Sequence, residues 1–449
     1  MRVARFAGLF VLILAIFYVR PLAQEYSIRV EVSAALAKAP WFEVQSRHFR
    51  VTGDADTKQL RRIAVDLEEI RRQFLTVFPK NAVSPVPTTV IVFRNAKSFR
   101  LFFEPRDAAG GVYAGLDRNY IALNAGEKRR RSVYHDYIHT LSGDHVLPLW
   151  LREGLAEYYA SVENERYSFG EDRTLQIGRP IYSHENLLRD RSFLPVSKLF
   201  AMTDESPAYA ENDRKSVFLA ESWALVHMLH TPGFVDLLQR LLELLVNKKP
   251  ARESFDAVYG VAPSLLEAKL KDYVKTSRSG GWTYTNIPYC LCDSKPNDWL
   301  QFNFDRTLSY VRDQGERKLT DAEVRFYIGD LLLHSGSLQQ AEAYLQDALQ
   351  LAPQFAAAHA SLAVLRIRQE NYDDAKVHIE RALALGTDNP LPYLFHARLI
   401  RQQVPEPTEL TEEQLQNMQT SLLNAVRFGP NLSEAVDLLS EVDSLLKQR

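Results

Sequence analysis

The sequence predicts an α+β domain followed by an all-α array of helical repeats. Three observations predict it. Between residues 41 and 123, short alternating or β-branched runs flank one amphipathic helical stretch. From about residue 129 to 246 the apolar spacing becomes largely helical, and beyond about residue 320 a paired-helix pattern repeats at a period of about 34 residues. At 449 residues the chain can hold two or three domains, each with its own core.

The elements follow in order. Met1–Arg5 carries two arginines, and Phe6–Val19 is an uncharged, largely apolar run of 14 residues. A spanning helix needs about 20 residues, so this run reads as the core of a secretory leader. Residues 1–23 are therefore expected to be a signal peptide, and the mature chain to be periplasmic or extracellular. Membrane attachment follows only if that segment stays uncleaved.

Residues 41–53 alternate apolar and polar, as a half-buried strand or hairpin does. Residues 55–78 place Leu60, Ile63, Ala64, Leu67, Ile70, Phe74 and Val77 at helical spacing, and Thr88–Phe93 is a β-branched strand. Gly110–Ala114 and Asn119–Leu123 read as short strands around a turn at Asp117-Arg118. Helices are expected over 129–142, 148–163, 215–230 and 234–246, with a strand near 174–178. Ser142-Gly143 suits a helix C-terminus, and Pro148 suits the first turn of the next helix. The Lys128-Arg129-Arg130-Arg131 run reads as a solvated stretch ahead of the first of these helices.

His135 and His139 lie four apart, so a helix presents both imidazoles on one face. Such a pair alone is a common accident on an ordinary helix. The next helix carries Glu153 and Glu157, again four apart. A catalytic Zn²⁺ takes three protein ligands, commonly two histidines and one carboxylate, and keeps a fourth position open. The assignment is His135, His139 and Glu153 as zinc ligands, with Glu157 as the carboxylate that orients a ligand histidine. Asp136, beside the first histidine, stands where the H-E-x-x-H pattern has its general base.

Leu149-Trp150-Leu151-Arg152-Glu153-Gly154-Leu155-Ala156-Glu157-Tyr158 resembles the glutamate helix of gluzincin metallopeptidases. More narrowly, the chain is similar over about residues 40–275 to exported bacterial peptidase MA-like domains. The similarity rests on Trp41–Val51, Thr88–Phe93, Asn119–Leu123, Leu147–Leu151 and Glu221–His227. It implies a zincin-like fold, peptide hydrolysis, and a sheet-edge strand that pairs with extended substrate. One of the strands 110–114 and 119–123 is the candidate for that role; a plain core hairpin is the alternative.

Family members normally have Glu at position 136. Asp is a competent base with its carboxylate about one C–C bond nearer the backbone, and a misplacement of order 1 Å can cost about 10²-fold. A slow peptidase, a peptidase with a compensating helix shift, and a metal-binding pseudoenzyme all fit that change. Gluzincins also place a Tyr or His against the developing oxyanion. His227 is the first candidate for that role and Tyr209 the second; Arg179 and Tyr182 are possible pocket residues.

Residues 276–320 read as a linker, and Cys290 and Cys292 in it as incidental loop residues. From 321 to 449, Arg325, Ile328, Gly329, Leu332, Ala341, Leu345, Ala348 and Pro353 match tetratricopeptide spacing. His359, Leu362, Ala363, Arg366, Ala375, Ile379 and Ala382 match it again, and a third unit begins near Pro390, with Val404–Pro407 as an insertion. Such arrays offer a concave groove to a protein partner or substrate; a packing cap on the first domain is the alternative.

The net charge of −2 and the lack of a Gly-rich phosphate loop give no support to a nucleic-acid or nucleotide role. The expected function is an exported zinc-dependent peptidase, its repeats binding substrate or a partner protein. The alternative is a catalytically weak or inactive scaffold acting through its repeats.

Overall fold

The computed structural model describes residues 40–449, apart from 102–108, 129, 144–146, 167–172, 191–192, 211, 232 and 277–315. The expected leader, residues 1–23, and both cysteines lie outside the described residues. Among the described residues, no helix is long and apolar enough to cross a membrane.

The N-terminal part is a mixed α/β layer structure. Strands β1 (Phe42–Gln45) and β2 (Phe49–Gly53) form the hairpin that the alternation at 41–53 predicts. Helix α1 (Thr57–Phe74) starts at Asp56, whose side chain accepts from the Gln59 amide, and leads to β3 (Thr88–Phe93). Strands β4 (Gly110–Tyr113) and β5 (Asn119–Asn124) pair antiparallel. A last strand, β8 (Glu316–Lys318), comes from the end of the stretch expected to be a linker and pairs with β1. The sheet order is β4-β5-β3-β2-β1-β8, with β2, β3 and β5 parallel. β4 therefore forms one edge and β8 the other.

Both faces of this sheet are covered. Val90, Val92, Ile121 and Leu123 face one core, which they share with α1 and the helices that follow β5. Their neighbours Ile91, Phe93, Tyr120 and Ala122 face a second core, built with the repeats. That is why Thr88–Phe93 reads as a continuous apolar run rather than an alternating one. Glu43 departs from the simple alternation. It is buried under the repeats, where Tyr327 donates to it at 2.9 Å and Arg317 at 3.0 Å.

Helices α2 (Arg131–Ser142) and α3 (Leu149–Ala160) follow the sheet. The helix expected to reach residue 163 stops at Ala160. Ser161 turns the chain, and β6 (Val162–Arg166) pairs with β7 (Arg173–Ile177) as a separate hairpin. The strand expected at 174–178 is one arm of it. Helices α4 (Tyr182–Asp190), α5 (Val196–Ala201) and α6 (Asn212–Leu229) come next. Helices α7 (Val235–Val246), α8 (Ala251–Tyr259) and α9 (Pro263–Thr276) close this part.

The C-terminal part is all helical. The pairs are α10 (Asp321–His334) with α11 (Leu338–Leu351), α12 (Ala356–Arg368) with α13 (Tyr372–Ala384), and α14 (Pro390–Arg401) with α15 (Glu412–Phe428). Helix α16 (Ser433–Lys447) packs on the last pair. Small residues allow the close pairing: a Cβ on Gly329 would lie 2.9 Å from Cγ of Leu345.

The first helices of the pairs meet the sheet through a buried polar cluster. The turn between β4 and β5 carries Asp117, whose carboxylate lies 3.1 Å from His334 Nε2 and accepts from Asn389 Nδ2 at 2.7 Å. Tyr120 donates to Asp330 at 2.5 Å, and Ser361 donates to the other oxygen of Asp330 at 2.7 Å. Burial alone would raise the Asp117 carboxyl, but the His334 and Arg118 charges hold it well below the usual carboxylate range.

Candidate metal centre

Helices α2 and α3 pack against each other and set the candidate site. Arg130 anchors the start of α2, donating to the carbonyl of Ala125 at 3.3 Å and lying 4.0 Å from Asp66 on α1. Helix α3 is held from behind by α6. A Cβ on Gly154 would fall 2.5 Å from both the carbonyl oxygen of Ser222 and Cγ2 of Val226. Only glycine lets these helices approach so closely beside Glu153. Gly154→Ala is therefore expected to destabilise the fold by about 1–3 kcal/mol through overpacking. In thermal unfolding that is a loss of roughly 2–4 °C per kcal/mol, and an unchanged Tm would show that α6 yields.

His135, His139 and Glu153 converge. Their ligand atoms all lie within 4.8 Å of one another, and among the described residues they form the cluster suited to a metal ion. The two Nε2 atoms are 3.0 Å apart, and Glu153 Oε2 lies 3.3 Å from His135 Nε2 and 3.6 Å from His139 Nε2. Tetrahedral zinc with bonds of about 2.0–2.1 Å sets its ligand atoms about 3.3 Å apart. The triangle thus has the dimensions one ion requires, and the donors are those zinc prefers.

Glu157 sits behind His135, with Oε1 3.4 Å from Nδ1. Two further residues hold it. Arg131 donates to Oε2, and His184 Nε2 lies 3.3 Å from the same oxygen. Arg131 and His184 also meet each other at 2.8 Å. Sequence reasoning missed both. Arg131 stands four residues before His135, on its face of the helix, but in sequence it is the last of a basic run. His184 comes from α4, and no local pattern points to it. By contrast, Nδ1 of His139 is buried with no hydrogen-bond partner among the described residues, so the outer support seen for the pair is on His135.

The groups of the triangle shift one another's protonation. Burial would lower the His135 imidazole, but the two glutamates raise it to about 10. Burial would raise Glu153, yet bonds to the histidines hold it well below its ordinary range. Burial lowers the His139 imidazole from its ordinary value, against the pull of Glu153. Metal and proton compete for His135, so uptake of an ion would release a proton. Asp136 lies outside the triangle; burial pushes its carboxyl up to about 6, against the pull of His135.

The two oxyanion candidates separate. His227 is buried in a cluster of its own, its Nδ1 2.6 Å from Tyr273 Oη and its Nε2 2.9 Å from the Gly178 carbonyl oxygen. Burial brings it down to about 3, and the structure does not draw it into the triangle. Tyr209, on a single helical turn (Pro207–Ala210), feels the charges of Glu153 and Glu157. Of the two candidates it is the one whose surroundings include the carboxylates of the site. Tyr182 is exposed at the start of α4, and Arg179 donates its amide to the Ser161 carbonyl.

β4, at the sheet edge, packs on α2. A Cβ on Gly110 would meet Cγ2 of Val133 at 3.0 Å. Of the two strands considered for substrate pairing, β4 has no strand on its outer side among the described residues, and β5 is paired on both sides.

Comparison with known families bears on the C-terminal part. Residues 332–399 match the tetratricopeptide repeat family. This is a fold whose usual work is protein–protein interaction. No curated protein matches the chain.

Proposed function

We propose that this chain is an exported zinc-dependent peptidase working slowly on an aspartate base. The observation that carries the reading is the triangle of His135, His139 and Glu153, whose edges of 3.0, 3.3 and 3.6 Å suit a single tetrahedral ion. When bound there, zinc would acidify a water and polarise a carbonyl. Asp136 takes the proton of the attacking water and returns it to the leaving amine. Tyr209 donates a hydrogen bond to the oxyanion, and β4, the edge strand among the described residues, aligns extended substrate. Glu157 keeps His135 in register, with Arg131 and His184 holding Glu157. Export rests on the sequence of residues 1–23 alone.

The Glu-to-Asp change at position 136 favours one second reading, a zinc-binding scaffold that no longer cleaves. Both are tested on the purified chain by metal analysis and by hydrolysis of a mixed peptide library with and without a chelator. One equivalent of zinc with chelator-sensitive cleavage is the expected result. Zinc without cleavage selects the scaffold, and a chain that takes up no zinc removes both. Glu157→Ala is expected to weaken zinc about 10–100-fold, the usual effect of losing the partner of a ligand histidine; an affinity within threefold of wild type would remove Glu157 from the support of the site.

A further inference from the structure

The first helices of the pairs form the inner surface of a tetratricopeptide array, the surface on which such arrays receive protein ligands. In this chain that surface is covered. On α10, Glu323, Tyr327, Asp330 and His334 follow one another at spacings of three or four and so share a face. Each has its partner at or next to the sheet: Arg317 beside Glu323, Glu43 beside Tyr327, Tyr120 beside Asp330, and Asp117 beside His334. Ser361 on α12 and Asn389 at the start of α14 complete the contact from the second and third pairs.

The turn between β4 and β5 is the part most deeply engaged. A Cβ on Gly115 would lie 2.8 Å from Cδ2 of His334, so backbone and imidazole are in direct contact. Two residues further on, the Asp117 carboxylate is shared between His334 and Asn389, from different pairs of the array. The strand that enters this turn is β4, whose opposite end rests on Val133 of the helix that carries His135 and His139.

We infer that the inner face of the repeats is a permanent seat for the chain's own sheet, through which the repeats fix the β4–β5 hairpin beside the candidate metal centre. The repeats are then a positioning part of the first domain rather than a recruiting arm, and a partner protein must use their outer face. This holds whether or not the centre hydrolyses peptides.

Two measurements on the full chain test it. A site-specific protease sequence placed within residues 277–315 allows the chain to be cut between its two parts. The expected result is a nicked protein whose fragments elute together at the size of the uncut chain and part only in denaturant. Separate elution under native conditions would overturn the inference. Hydrogen exchange at Gly110–Asn124 is the second readout. Asp330→Ala, and the milder Asp117→Asn, are expected to speed exchange there by about tenfold or more, because each leaves buried partners unsatisfied. Glu434→Ala, far along the array where Arg398 binds it, is expected to leave it unchanged. Equal exchange in all three variants would show that the repeats do not hold the hairpin.

Discussion

Glu153→Ala is expected to strip the chain of zinc. Oε2 of Glu153 is the atom both histidines share, at 3.3 and 3.6 Å, and it would carry the charge that offsets the proposed divalent ion among buried groups. Its removal leaves two imidazoles and no anionic ligand. Loss of a merely outer partner usually costs about 10–100-fold in metal affinity, so loss of a ligand should cost more. Titration against a chromophoric chelator measures this directly. The zinc-dependent rise in Tm should vanish with it; at a free zinc concentration of 100 times Kd that rise corresponds to about 2.7 kcal/mol in the wild type. Glu153→Gln, close in shape but uncharged, should behave nearly as badly. A Glu153→Ala protein that retains one equivalent at wild-type affinity would mean that the ion sits elsewhere.

The second large effect is on turnover. Asp136→Ala is expected to lower zinc-dependent hydrolysis by about 10²–10⁴-fold, the usual contribution of a general base, with zinc content unchanged. Asp136→Glu restores the longer reach and is expected to raise turnover by up to about 10²-fold. Only the ionised carboxylate accepts a proton. Burial puts the Asp136 carboxyl at about 6, and a bound cation would draw it lower. Activity should therefore be full above that value and fall on the acid side, at or below about pH 6. An alanine variant with wild-type turnover would deny Asp136 the role, and a rate that rose on acidification would point to a different group.

Much of the fold, and the convergence of the two helical pairs, was readable in the residues, and the failures share a cause. The i, i+4 pairs His135/His139 and Glu153/Glu157 lie where helical geometry puts them, because that relation is local. Tetratricopeptide spacing is local too, and residues 332–399 match that family. The missed features depend on what a face meets. Arg131 has helical spacing to His135, but a run of basic residues does not say which of them turns inward. Glu43 belongs to the polar side of an alternating strand, and it is buried because a helix more than 280 residues later covers it. His227 has a suggestive position on α6, yet Tyr273 and the Gly178 carbonyl occupy its two nitrogens. A helix expected to reach residue 163 ends at Ala160 because the following residues find a strand partner at 173–177.

The closing strand, β8, has a consequence for how the protein is made. Residues 316–318 complete a sheet whose other strands all lie within the first 124 residues. On the ribosome, at about 5–20 residues per second, the β1 edge and the apolar face of Ile91, Phe93 and Tyr120 wait at least ten seconds for their cover. During that interval the nascent sheet presents an unpaired edge and an uncovered face to other chains. Truncations that end before the repeats should leave the same surfaces bare, and should precipitate or enlist chaperones where the intact chain does not.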